Sequence, residues 1–534
     1  MKKNIIVGCA WTYANSDIHL GHISAYMAGD ILARYHRACG DNVIMVSGTD
    51  AHGTPITERA IKEGVTPQEI VDRYHAQFAE AFKGLNFSYD LYTSTATPYH
   101  SQKVQELLLQ IDKNGFLYPK TETAGFCPKC NKFIYDREVL VTCPKCGTES
   151  KGDQCDGCSY VFLASDLLAG KCRICGGATE QKENTNLYLK LSALEPEMKA
   201  HFHRNSGKWR DNSINETAKF LDMGLHDRAV TRDLNWGVSV PFPGYENKKI
   251  YVWVEAVFGY LTATMKYCED NGLDYKDYWI NNGSNRIYLA HGKDNIVFHT
   301  IIFPALLESL KQNYFLPDVN AATEFLSING QKISKSLGNG YPIADMLAKF
   351  PSDSLRYFCV ANGPEQKDSN FTFPQLHALH NGEIVNKLGN FVNRTLNFKG
   401  LTGIPAGIMS VELESAIKNT YKEVGKSIEQ LQLKFSLEQI FTLIDFGNKY
   451  YDTKKPWVLF NENKQEFNSV IYSCCVLIAN LSNLLEPFMP DTAKKLRDHL
   501  GLGAAKWEYV TAEPKENMPK LDALFARLTD KDVL

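Results

Sequence analysis

The spacing of apolar residues changes several times along this chain. Residues 4–11, "NIIVGCAW", are almost unbroken apolar, as in a strand buried on both faces. Residues 21–40, "GHISAYMAGDILARYHRACG", repeat their apolar positions at helical spacing, and Gly40 supplies the stop. "NVIMVSGTD" (42–50) reads as a second strand running into a polar turn. Strand, helix, strand in so short a span predicts a βαβ unit and hence a parallel sheet. Ligands of such sheets sit beyond the carboxyl ends of the strands. "NSDIHLGH" (15–22) follows the first strand and "GTDAHGTP" (48–55) follows the second, so both should face one crevice.

From about Phe116 the pattern breaks into a stretch rich in Cys, Gly and Lys. After "NTNLYLKLSAL" an α/β pattern resumes in "KKIYVWVEAVFGYL", where Trp253 reads as lying in an apolar strand, and in "NRIYLAHGKDNIVFHTIIFPALL". The middle stretch is therefore expected to be an insert within one sheet domain. From about Phe373 to the end the pattern is helical, with amphipathic runs such as "LEQIFTLIDFGNKYYDTKKPWVLF".

A chain of 534 residues allows about three or four domains. Charged residues make up 22% and the net charge is −3, so no global basic character marks a nucleic-acid binder; a local basic patch on a neutral body stays compatible. The opening "MKKNIIVGC" imitates an export signal, but its apolar run is shorter than the roughly 7–15 residues required. No run approaches about 18 apolar residues, so no membrane span is expected. Of the 14 cysteines, eight form four C-x-x-C pairs between Cys127 and Cys175, while Cys9, Cys39, Cys268, Cys359, Cys474 and Cys475 are scattered. Clustered pairs in a chain without an export signal read as metal ligands in a reducing cytoplasm. Eight thiolates make two four-cysteine zinc sites, closed and hence structural. Spacing alone leaves nested and sequential pairing of the four motifs open.

Two motifs carry the chemistry. His19-Leu20-Gly21-His22 should open the first helix, and Lys332-Ile333-Ser334-Lys335-Ser336 lies in a Gly/Ser-rich loop. Lysines on a loop suit a polyphosphate whose charge shifts during reaction, although a solvated surface loop reads the same in isolation. Together the two motifs resemble the HIGH and KMSKS signatures of class I aminoacyl-tRNA synthetases. "CAWTYANSDIHLGH", "GTDAHGTP", "YVWVEAVFGY", "HGKDNIVFHT" and "GPEQKDSNFT" narrow the resemblance to the methionyl-tRNA synthetases, over nearly the whole chain.

That resemblance implies an α/β fold: a Rossmann-like parallel-sheet catalytic domain, interrupted by a zinc-knuckle insert and followed by an all-helical anticodon-binding domain. The expected boundaries are 1–115 and 226–322 for the two catalytic halves and 116–225 for the insert. A stem-contact region with the KISKS loop should occupy 323–380, and the anticodon domain 381–534. It implies ATP, accompanied by Mg²⁺, bound by His19, Gly21, His22, Lys332, Ser334 and Lys335, with the two histidines and two lysines catalytic. Gly21 would let the nucleotide approach the backbone. Methionine would lie among Trp11, Tyr13, Trp253, Ala256, Val257, Tyr260 and His299, aromatic walls suiting a thioether. Asp50 would pair with the ammonium, and a ring N–H of His299 would face the sulfur. Core packing for Trp253 and helix capping for Asp50 remain the alternatives. Trp11-Thr12, Val257 and Asn295 depart from the commoner family pattern at the pocket without changing the substrate. The family's shorter members imply nested zinc sites: Cys143, Cys146, Cys155 and Cys158 inside, Cys127, Cys130, Cys172 and Cys175 outside. Asn386, Asn390 and Trp457 fall where the family reads the CAU anticodon of methionine tRNA; a buried turn is the alternative for Trp457. With no dimerising extension in view, a cytoplasmic monomer is expected.

Overall fold

The computed structural model describes residues 2–134, 138–152, 155, 157–158, 162, 170–280, 283–333 and 340–529. The sheet begins with β1 (Asn4–Cys9), passes through α1 (Leu20–Ala38) to β2 (Asn42–Asp50), and after two further helices reaches β3 (Leu91–Ser94). Helix α2 (Pro98–Lys113) then leads out along β4 (Leu117–Cys127), and the chain returns along β5 (Glu180–Leu189). These two long strands pair antiparallel over their length and form the stalk of the cysteine-rich insert. Helix α3 (Val252–Asp270) leads back to β6 (Asn285–Gly292) and β7 (Val319–Thr323). The finished sheet runs β7-β6-β1-β2, with β3 and the short strand Thr12–Tyr13 both added to β2. Every pairing is parallel. The five residues after Asn4 in β1 are all buried, the two-sided burial that removes alternation from the sequence.

Two elements differ from the sequence expectation. The stretch "YVWVEAVFGYL" is not a strand: Trp253 lies in the first turn of α3. Most of that helix is buried, so no polar stripe records the 3.6-residue period, and an apolar run of this kind cannot be assigned by periodicity. The C-terminal part is not helical throughout. Helices α4 (Ser352–Ala361), α5 (Val411–Glu429), α6 (Leu433–Lys454), α7 (Lys464–Leu484) and α8 (Pro490–Leu500) are followed by residues 502–529 without a helix. Gly501 ends α8 in a left-handed conformation, with φ +74°. The tail then straps the bundle through side-chain bonds, Asn480 to the Val510 carbonyl (2.7 Å) and Asn397 to that of Leu521 (2.8 Å). Helix α7 has the length and apolarity of a membrane span, but 83% of its apolar window is buried inside the bundle, as befits a core helix.

A buried clamp helps to join the bundle to the sheet domain. Arg356 of α4, fully buried, donates to Asp30 of α1 (2.6 Å) and to the carbonyls of Leu85 (3.1 Å), Pro487 (3.0 Å) and Phe488 (3.0 Å). Burial alone would raise Asp30, but Arg34, Arg356 and the two bonds from Ser88 hold its carboxyl well below the usual range.

Candidate active site and metal centres

Helix α1 begins with an unusual cap. His19 occupies the position where Ser or Asp is commonest, and its Nδ1 accepts from the Gly21 N–H (3.2 Å). His22, three residues on, reaches back so that its Nδ1 accepts from the His19 N–H (3.3 Å). This is a capping box built from imidazoles. Since both Nδ1 atoms accept, the proton of each neutral ring sits on Nε2. The rings lie 3.9 Å apart at the positive end of the helix.

The second motif meets the first there. A Cβ added to Gly21 would stand 3.0 Å from Cε1 of His19 and 3.3 Å from Cδ1 of Ile333. The space beside Gly21 is bordered by the folded-back His19 ring and by Ile333. Just beyond, the Ile343 N–H donates to the Ile18 carbonyl (3.0 Å), and His19 bridges Pro342. Lys332 ends a two-residue strand paired with Leu326–Ile328, its Nζ 5.4 Å from the centre of the Phe325 ring. Ser334 and Lys335 lie outside the described residues.

Behind the cap, the carboxyl end of β2 carries Asp50, which is buried and pairs with no cation among the described residues. Burial first, and the charge of Glu255 next, push its carboxyl well above the usual range. Tyr13 lies opposite Asp50 in the sheet, its hydroxyl over Gly53. The indole of Trp11 fills the space between Gly48 and Gly259, where any Cβ would collide with it. Ala256, Val257 and Tyr260 are buried on α3, and Trp253 is half-buried, stacked on Phe298 at 4.7 Å.

His299 differs from expectation. Its Nδ1 faces the Asn295 carbonyl (2.7 Å), so Nδ1 must carry the proton, and its Nε2 then accepts from the Tyr260 hydroxyl (2.7 Å). No ring N–H is left to face a sulfur. Its ring stacks on His291 at 4.1 Å. Burial pushes His291 down to about 4 and His299 well below its usual value, so the stack is neutral. No sequence pattern signals this, because a tautomer is set by partners rather than by residue type.

The cysteines gather as two quartets. Sulfurs of Cys127, Cys130, Cys172 and Cys175 lie within 4.8 Å of one another, as do those of Cys143, Cys146, Cys155 and Cys158. Cys127–Cys175 and Cys130–Cys172 are 3.4 and 3.8 Å apart; Cys143–Cys158 and Cys146–Cys155 are 3.6 and 3.5 Å apart. Disulfides need about 2.05 Å. A tetrahedron of thiolates around zinc, with bonds of about 2.3 Å, has edges near 3.8 Å, which these spacings fit. Elemental analysis of the purified protein is expected to give two zinc ions per chain. Joint loss of both metals on replacing Cys143 with serine would argue against independent sites.

In the helical part, Asn386 and Asn390 are exposed one turn apart, and Asn386 accepts a bond from Arg527 of the tail. Arg394, a further turn along and missed in the sequence, holds its guanidinium 4.3 Å from the centre of the Tyr451 ring. Tyr451 lies 6.2 Å from the ring of Trp457, which is 49% exposed. Spacing of four residues from Asn390 was the available signal for Arg394.

Comparison with known proteins adds to this geometry. Residues 5–396 match the family model "tRNA synthetases class I (M)", and residues 402–533 match "Anticodon binding domain of methionyl tRNA ligase". The methionine–tRNA ligase 1 of Alkaliphilus oremlandii is 41% identical over 531 residues, covering 99% of this chain and 98% of the relative. The methionine–tRNA ligase of Bacillus cereus strain B4264 is 41% identical with the same coverage. Among solved structures, Mycobacterium tuberculosis methionyl-tRNA synthetase in complex with methionyl-adenylate superposes with a TM-score of 0.81 at 26% identity, covering 99% of this chain and 100% of that one.

Proposed function

The chain belongs to the methionine–tRNA ligase family of class I aminoacyl-tRNA synthetases, and from that premise we propose how its own residues divide the work. The enzyme activates methionine with ATP to methionyl-adenylate and pyrophosphate, then transfers the methionyl group to the 3′-terminal ribose of tRNA. One observation carries the assignment of the nucleotide site: two motifs more than 300 residues apart meet at the N-terminus of α1, with Ile333 against Gly21.

A methionine carboxylate oxygen attacks the α-phosphorus of ATP, which brings its own Mg²⁺. The bond to the bridging oxygen of the β-phosphate breaks, and its electron pair leaves with pyrophosphate. Charge accumulates on the phosphate oxygens at that point. The protonated Nε2 atoms of His19 and His22, Lys332 and Lys335, and the dipole of α1 are the groups that stabilise it. Ser334 contributes a hydroxyl donor.

Methionine lies with its ammonium on Asp50, a buried carboxylate with no cationic partner among the described residues. Its thioether rests among Trp11, Tyr13, Trp253, Ala256, Val257 and Tyr260, with the neutral His299 ring as one wall. Asn386, Asn390, Arg394 and Trp457 form the anticodon-reading face. The half-exposed Trp457 ring serves as a stacking platform, against the buried-turn alternative. The partner is methionine tRNA, and the working form is a cytoplasmic monomer.

ATP–pyrophosphate exchange across a panel of amino acids should respond to methionine above all others; an equal response to cysteine would overturn the pocket. In the same assay Trp457→Ala should exchange normally yet charge tRNA roughly 5- to 150-fold more slowly, the equivalent of a lost base–aromatic stack of about 1–3 kcal/mol. A folded variant with wild-type charging and an intact CAU preference would remove Trp457 from the reading face.

A further inference from the structure

Glu255 is fully buried in the first turn of α3, between the pocket residues Trp253 and Ala256. The adenylation step described above gives it no role. Its two oxygens are taken by two histidines from different elements. His52, in the turn after β2, approaches Oε1 through Nδ1 at 2.7 Å, and His100 of α2 approaches Oε2 through Nε2 at 2.8 Å. The far nitrogen of His100 meets the Thr262 hydroxyl of α3 at 2.8 Å. His52 is held in turn: its ring packs edge-on to Trp236 at 5.4 Å, and the Trp236 indole N–H donates to the Ala51 carbonyl (2.6 Å). The His52 N–H points at Asp50 Oδ1 across 3.4 Å. A continuous polar ladder, Thr262–His100–Glu255–His52–Asp50, thus runs from the middle of α3 to the carboxylate assigned to the methionine amine.

We propose that Glu255 is a positioning residue for methionine binding: held by His52 and His100, it fixes the turn that bears Asp50, and its charge governs how readily Asp50 becomes the anion that takes the substrate ammonium. The proposal rests on the assignment of Asp50 to that ammonium.

Two carboxylates in one water-poor site cannot ionise independently. Burial raises Glu255, but the two histidines more than offset this and hold it below the usual carboxylate range, so Glu255 carries the charge. Asp50 has no such partners and is driven the other way, by burial and then by Glu255. The other titratable groups facing the pair are the hydroxyls of Tyr13, opposite Asp50, and of Tyr26 on α1, both raised by burial and by the Asp50 charge. Tyr13 is pushed up by burial and by both carboxylates, so it stays neutral and does not compete for the role. The ammonium of methionine is the cation the site lacks. A lower pH protonates Asp50 and opposes binding, so kcat/KM for methionine should fall on the acid side along a limb that follows Asp50.

The test is the pH profile of kcat/KM for methionine and for ATP in pyrophosphate exchange by the full-length enzyme. Glu255→Gln keeps the shape and removes the charge. Its acid limb for methionine should move to lower pH by about one unit, with kcat at saturating methionine and the KM for ATP within a few-fold of wild type. His100→Gln uncovers Glu255 and should move the same limb to higher pH. This second variant carries the test should Glu255→Gln fail to fold. Shifts in opposite directions support the proposal; a limb that stays put in a folded variant overturns it. Asp50→Asn separates the two layers. A limb that vanishes in Asp50→Asn but ignores Glu255→Gln overturns the role of Glu255 alone. A limb that survives Asp50→Asn overturns the assignment of Asp50 and the proposal with it.

Discussion

Lys335→Ala should slow methionyl-adenylate formation roughly 10²–10³-fold, as expected when one donor to a developing oxyanion is removed. The change belongs in kcat for pyrophosphate exchange, because the lysine meets charge that appears only as the phosphorus–oxygen bond to pyrophosphate breaks. Methionine affinity, measured without ATP, should barely move, since the methionine site proposed above is built on Asp50 and α3 and not on the loop. Single-turnover rates with pre-bound methionine check this directly. Loss of methionine binding with unchanged chemistry would place the lysine in the wrong role.

Arg356→Ala should destabilise the protein by about 3–5 kcal/mol, the usual consequence of leaving one partner of a buried ion pair alone. Asp30 would keep Arg34 and Ser88, but the carbonyls of Leu85, Pro487 and Phe488 would lose their shared donor. The effect has a pH signature. A carboxyl depressed in the folded state contributes stability that is present above its unfolded pKa, near 3.9, and is lost as pH falls through the folded value. With Arg356 gone, Asp30 is less depressed, so acid unfolding should begin at a higher pH than in wild type. Urea midpoints across the acid range would measure both effects. An unchanged midpoint at neutral pH would mean that the clamp is not what joins the bundle to the sheet.

Much of the catalytic core was legible because its signals are local. The strand Asn42–Asp50 and the helix stop near Gly40 follow from a short apolar run and one glycine. The cysteine pairs announced a metal insert for the same reason. What the chain hid depends on long-range partners. Glu255 finds its histidines 203 and 155 residues away, and nothing near it in sequence suggests either. Helix α3 was unreadable as a helix because burial on most sides erases periodicity. The tail after Gly501 has a helical pattern, yet its hydrophobic residues cap the bundle from an extended strap held by scattered asparagines. The cap of α1 shows a third kind of concealment: histidines replace the usual capping residues, so the motif proposed for catalysis is also the helix start signal.

The nesting of the two cysteine quartets fixes an order of assembly during synthesis. The last donor of the inner quartet, Cys158, leaves the ribosome before Cys172, when the outer quartet has only two of its four sulfurs. The inner knuckle spans 15 residues between its outermost cysteines, against 48 for the outer one, so it is also the shorter loop to close. Once closed, it shortens the path that the outer pairs must bridge. A ribosome stalled between the two events would therefore carry a chain with one finished knuckle and one waiting half-site, with the stalk strand β5 still to be made.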